Sequence, residues 1–219
     1  MNMTGHVNDN HSPGTRVFRA ITYIDGYNLY FGMRDRGWKR YYWLDVARLS
    51  QSLLRTDQTL VHTKYFTSRI ADPEAQRKRQ AAYLDALGTI SDLSIMYGQY
   101  LKSMRECREC GYRYQVSSEK MTDVNIATEL LSDAFTDQFD TAVVISADSD
   151  LVPPIAKVRK LFPQKRVIVA FPPNRQSVEL RRAAHVTLFI ESSHLSKSQL
   201  PDEITKPDGY VLRRPDKWK

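Results

Sequence analysis

Apolar residues in this chain come in short bursts whose period switches between strand-like and helix-like, and the switching predicts the elements. Val17 to Ile24 is an apolar run broken only by Arg19 and Thr22, and it reads as a strand. It ends at Asp25-Gly26-Tyr27-Asn28, where Gly26 lets the backbone turn sharply. Leu29 to Gly32 begins a helical turn. Asp45 to Leu54 sets Val46, Leu49, Leu53 and Leu54 at helical spacing, and Leu60 to Thr67 alternates as a second strand. Asp72-Pro73 is a helix start, and Ala81, Leu84 and Leu87 form the apolar face of the helix from Ala75 to Leu87. Leu93 to Leu101 reads as a third strand. Met121 to Phe135 is the clearest helix, with Val124, Ala127, Leu131 and Ala134 in one stripe. Thr141 to Ser146 and Arg166 to Phe171 are the fourth and fifth strands, separated by a helix from Leu151 to Phe162. Ser177 caps a short helix through Ala184, and Val186 to Ile190 adds a sixth strand.

Strands that alternate with helices need crossover connections, which argues for an α/β fold with a mostly parallel central sheet. The chain has 219 residues, enough for one domain with a real core and few for two. Residues 17–192 are expected to form that domain, with an insert at about 101–120. Residues 1–16 read as a polar, flexible leader, and 193–219 as a polar, proline-bearing tail that packs loosely. No run of about eighteen apolar residues occurs, so no membrane-spanning helix is expected. The first fifteen residues lack the apolar core of a secretory signal, which makes a cytoplasmic location the default expectation. The net charge of +7 favours polyanionic partners through phosphate contacts.

Chemistry is concentrated where strands end. Val143-Val144-Ile145-Ser146-Ala147-Asp148-Ser149-Asp150 reads as a buried strand that stops abruptly in two carboxylates. In open α/β sheets ligands bind at the carboxyl ends of strands. Asp25 follows the first strand in the same way, and Asp123 lies in the first turn of a helix, where the dipole favours a carboxylate. Clustered carboxylates repel one another, and a hard divalent cation such as Mg²⁺ or Mn²⁺ offsets that repulsion. The alternative for each acid is local: Asp123 as a dipole residue, Asp148 or Asp150 as caps of the following helix. Glu129 lies six positions beyond Asp123, about 120° away around the helix, and so is expected to face solvent or a basic neighbour.

Cys107 and Cys110 form a C-x-x-C, half of a tetrahedral zinc site. His62, His185 or His194, or the same pair from a second subunit of a homodimer, would have to complete it. Two reduced cysteines in a surface hairpin are the alternative. Arg34, Arg36, Lys39 and Arg40 share a loop with Trp38, Tyr41 and Tyr42, and Arg105, Arg108 and Arg113 lie near Tyr112 and Tyr114. Cations interleaved with aromatic faces suit single-stranded nucleic acid, and Arg175 extends the basic set. Tyr41 and Trp43 are equally suited to the core. No glycine-rich phosphate loop of the dinucleotide or P-loop kind follows a strand.

Three blocks, Ile24-Asp25-Gly26-Tyr27-Asn28-Leu29, Glu119-Lys120-Met121-Thr122-Asp123-Val124-Asn125-Ile126-Ala127 and Ser146-Ala147-Asp148-Ser149-Asp150-Leu151-Val152-Pro153, resemble the signature blocks of the NYN domain family, of the LabA/DUF88 type within the PIN-like nuclease superfamily. The resemblance implies a PIN-like Rossmannoid three-layer fold with about five or six strands, and metal-dependent cleavage of RNA. It implies Asp25, Asp123, Asp148 and Asp150 as catalytic metal ligands, Asn28 as an amide that orients substrate or water, and Ser146 as a polar support on the substrate side. The acid after the second block's alanine is a glutamate here, Glu129. A non-cleaving RNA- or nucleotide-binding module of the same fold and a small-molecule enzyme, hydrolase or oxidoreductase, are the competing expectations.

Overall fold

The computed structural model describes residues 17–219, without the side chains of 100–103 and 115–119. The leader expectation for 1–16 lies outside the described residues. Six parallel strands form the central sheet: β1 (Phe18–Asp25), β2 (Gln58–Thr67), β3 (Leu93–Tyr97), β6 (Thr141–Ile145), β7 (Arg166–Phe171) and β8 (Val186–Phe189). Their order is β3-β2-β1-β6-β7-β8. Strands buried on both faces carry continuous apolar runs, as Thr141–Ile145 does with every residue buried.

Side chains alternate across the sheet and feed two cores. Ile24, Tyr65, Val143 and Ile145 point to one face, which is covered by α1 (Gly26–Asp35), α2 (Val46–Ser52) and α3 (Glu74–Leu87). Tyr23, Phe66, Val144 and Val169 point to the other, under α4 (Thr122–Phe135), α5 (Val152–Leu161) and α6 (Val178–Ala183). Three layers result, in a PIN-like α/β arrangement.

Two expectations need correction. The third strand does not run from Leu93 to Leu101. It breaks at Gly98, whose N–H donates to the Thr67 carbonyl at 2.8 Å, and the chain leaves the sheet as an antiparallel hairpin of β4 (Gln99–Glu106) and β5 (Arg113–Lys120). The tail does not pack loosely either. It forms α7 (Ser192–Lys197), β9 (Glu203–Thr205) and β10 (Val211–Arg213), and buries Leu195, Leu200 and Leu212 in the first core. Trp43 Nε1 donates to the Pro201 carbonyl at 2.7 Å, and Trp218 meets Tyr42 edge-on at 5.7 Å. Among the described residues no helix is long and apolar enough to cross a membrane.

Candidate functional site

Helices switch sides between β1 and β6, so the carboxyl ends of these two strands form the crevice where open α/β sheets bind ligands. β1 ends in Asp25, and its carboxylate caps α1 by accepting the Asn28 N–H at 2.9 Å. Gly26 starts that helix pressed against β2. A Cβ there would come within 2.6 Å of the Tyr65 hydroxyl and 2.7 Å of the Phe66 carbonyl oxygen. The backbone carbonyl cannot swing aside as a side chain would. Gly26→Ala is therefore expected to cost about 1–3 kcal/mol by overpacking, read as a lower urea midpoint at unchanged slope. An unchanged midpoint would show that the turn has room to spare.

β6 contributes Ser146 and the loop beyond it. Ser146 Oγ donates to Asp25 Oδ2 at 3.0 Å and accepts the Asp148 N–H at 3.1 Å. Asn28 Oδ1 accepts the Ala147 N–H at 3.2 Å. Asp148 Oδ1 accepts the Asp150 N–H at 3.0 Å and caps the turn Ser149–Leu151. Local capping and assembly of the site are thus done by the same carboxylates. Asp25 is 4% exposed. Burial pushes its carboxyl above the ordinary value, and the charge of Asp148 pushes the same way; the bonds from Asn28 and Ser146 pull against both.

Of the four acids expected to cluster, the structure brings Asp25 and Asp148 together. Asp150 is exposed at the mouth of the crevice. Asp123 is half-buried in the first turn of α4, which packs against β1, β2 and the Ser149–Leu151 turn. Its helix is entered through Met121 at φ 78°, a strained left-handed conformation for a non-glycine residue. Among the described residues no three His, Cys, Asp or Glu groups converge as a preformed cage. Mg²⁺ does not require one, since it binds through one or two carboxylates and keeps several waters and substrate phosphates as ligands. Two hard carboxylates, one of them buried, with no ion pair among the described residues to neutralise either, fit such a cation.

The other expected site residues divide. Ser146 is fully buried, so it touches no substrate; it positions Asp25 and Asp148 from behind. Asn28 ties the two strand ends together by its amide. Glu129 accepts from Lys64 Nζ at 2.7 Å, the basic neighbour that was one of its two expected surroundings. Arg34 and Lys39 line a cavity beside the acids. Arg36 and Arg40 lie 5.9 and 4.9 Å over the rings of Trp38 and Tyr41, while Arg175 pairs with Asp35 at 3.3 Å and lies 5.8 Å over Phe31, a ring of the cavity wall. Tyr41, Tyr42 and Trp43 are buried.

Cys107 and Cys110 occupy the tip of the β4–β5 hairpin as free thiols. Backbone N–H groups of Cys110 and Glu109 pull the Cys107 thiol below its ordinary value. The three histidines expected as completing zinc ligands are engaged elsewhere. His62 bonds Ser94 at 2.8 Å, His185 Nδ1 accepts from Val167 N at 3.0 Å, and His194 belongs to the cap of α7.

The chain resembles known proteins in sequence and in fold. It is 31% identical to a 6-hydroxy-3-succinoylpyridine 3-monooxygenase, HspA, of Pseudomonas putida, over 91% of this chain and 75% of that protein. The crystal structure of a protein of unknown function from Vibrio parahaemolyticus superposes with a TM-score of 0.55 at 18% identity, covering 84% of this chain and 98% of that one, a likeness of fold alone. The model of the NYN domain matches residues 19–192, from the first core strand through the last strand of the sheet. With Asp25-Gly26-Tyr27-Asn28 and Ser146-Ala147-Asp148 meeting at the switch point of that same span, the chain belongs to the NYN domain family, in the PIN-like nuclease superfamily.

Proposed function

We propose that this protein is a divalent-metal-dependent endoribonuclease that hydrolyses phosphodiester bonds of single-stranded RNA. The observation that carries the reading is the Asp25–Asp148 pair, a buried and a half-buried carboxylate that repel each other at the sheet's switch point. Asp25 and Asp148 would hold the cation, and Asp123 and Asp150 are proposed as outer ligands that act through water. When bound, the ion supplies neutralisation of the phosphate and activation of the attacking water.

The rest is done by side chains of this chain. Ser146 and Asn28 hold the two strand ends in register, so that neither carboxylate has to reorganise when substrate arrives. Arg34 and Lys39 stand along the wall next to the acids, where they attract and align the phosphate backbone. The exposed, stacked rings of Tyr112 and Tyr114, with centroids 6.3 Å apart on the hairpin, present a surface for unpaired bases.

The test is a labelled single-stranded RNA incubated with purified protein and Mn²⁺ or Mg²⁺, with EDTA in parallel. Metal-dependent shortening of the RNA is expected, blocked by EDTA. RNA that is retained on the protein but never cut would replace the nuclease with a binding module. A second reading, an enzyme that oxidises a small aromatic substrate, is favoured by the relative from Pseudomonas putida and by the aromatic cavity beside Asp25. Oxygen uptake with 6-hydroxy-3-succinoylpyridine and a reductant, without RNA cleavage, would establish it in place of the first.

A further inference from the structure

A cavity of about 410 Å³ opens between α1, α3 and the C-terminal segment, within the size range of small-ligand sites. Its walls are aromatic. Tyr27, Tyr30 and Phe31 come from α1, Tyr65 from β2, Tyr83 from α3 and Trp218 from the tail. Tyr30 and Phe31 have ring centroids 5.3 Å apart, and Tyr83 and Trp218 meet at 6.2 Å. Gly26 and Tyr65 belong both to this wall and to the surroundings of Asp25, so the cavity adjoins the acidic crevice.

Polar groups make it more than an apolar hollow. Arg34, Lys39, Arg79 and Lys217 line it, against one acid, Asp72. Arg34 is paired with Asp35 at 3.2 Å, whereas Lys39, Arg79 and Lys217 form no ion pair among the described residues. Tyr42 also lines it, is 6% exposed, and has a buried hydroxyl without a hydrogen-bond partner among the described residues. A buried hydroxyl left unmatched is costly, and a ligand that supplies its partner recovers that cost. Flat faces, unpaired cations and an idle hydroxyl call for a planar ring that bears an anion.

We propose that this cavity binds a planar aromatic ring carrying an anionic group, seated next to the acidic crevice. On the nuclease reading, on which this assignment of source rests, the ring is a base of the RNA strand and the anion its phosphate. The ring would stack on Tyr30 and Phe31, and Arg79 and Lys39 would meet the anion. A free small aromatic acid has the same chemistry and is the other source.

Quenching of the part of the tryptophan fluorescence that Trp218→Phe removes separates the outcomes, using the full-length protein in EDTA so that no cleavage intervenes. The probes are uridine monophosphate, adenosine monophosphate, the nucleoside uridine, benzoate, and inorganic phosphate alone. Saturable quenching by the monophosphates is expected, weakened at least about fivefold in Tyr30→Ala, the lower bound of a base-stacking loss. Arg79→Ala should weaken the anionic probes and leave uridine itself unaffected. Benzoate binding without nucleotide binding would keep the ring-plus-anion site and assign it to small aromatic acids. No saturable binding of any ring, or binding indifferent to both substitutions, would overturn the proposal. RNA cleavage scored separately distinguishes the two ideas: cutting without a ring site sinks only the subsite, and a ring site without cutting sinks only the nuclease.

Discussion

Lys64→Met is expected to destabilise the fold by about 3–5 kcal/mol, a drop in Tm of roughly 6–20 °C for a chain of this size. Lys64 lies on β2 with its side chain 12% exposed, and its Nζ donates to Glu129 at 2.7 Å and to Asp133 at 2.6 Å. Asp133 is itself buried and also accepts the Tyr23 hydroxyl at 2.6 Å. Burial and that carboxylate keep the Tyr23 phenol protonated far above its ordinary value. Removing the one cation leaves two carboxylates facing the sheet with nothing to neutralise them. An uncompensated buried charge costs more than the pair gains, so the single change is severe. The combination Lys64→Met, Asp133→Leu and Tyr23→Phe should recover most of the loss, because it removes the buried groups and leaves only Glu129, whose side chain is 32% exposed and keeps its water. A single variant that loses less than about 1 kcal/mol would show that water reaches the site. The same contact bears on the proposed activity, since Lys64 fixes on the sheet the helix that carries Asp123.

That tie shows where sequence reading succeeds and where it stops. The strands were legible because strands covered on both faces must be apolar throughout, as Val143-Val144-Ile145 is. Asp25, Asp148 and Asp150 stand out because they follow apolar strands, and Asp123 because it opens a helix. Glu129 and Asp133 stand four residues apart on α4, a like-charge pair that called for a cation, but nothing local pointed to a lysine some 65 residues earlier. The cavity was illegible for the same reason. Its rings come from positions as distant as Tyr27 and Trp218 and share no period. The tail misled because Leu200, Leu212 and Trp218 sit among prolines without helical or strand spacing, yet each finds its own place on the core. The family resemblance alone put Ser146 on the substrate side. Strand alternation had already turned it inward.

Asp25→Asn should separate stability from activity more cleanly than any other change in this chain. Cleavage is expected to fall on the order of a hundredfold to a thousandfold, because several kcal/mol of transition-state stabilisation depend on the charge held there. Folding should not suffer. Asp25 is nearly sealed from water, faces the charge of Asp148, and has no cationic partner among the described residues, so its ionised form is unfavourable in the metal-free protein. Asparagine keeps the oxygen that caps α1 and removes the charge. Ser146, which now donates to Oδ2, can accept from the amide instead, since its hydroxyl carries acceptor lone pairs as well as a proton. The metal-free variant should therefore melt at or above the temperature of the parent protein in EDTA, while the rise in Tm expected of the parent on adding Mn²⁺ is lost. A lower Tm in EDTA would mean that Asp25 is chiefly a structural cap, and a retained Mn²⁺ shift would mean that the cation is held by other residues. Loss of both cleavage and the Mn²⁺ shift at undiminished stability is the combination that a metal ligand, and not a cap, produces.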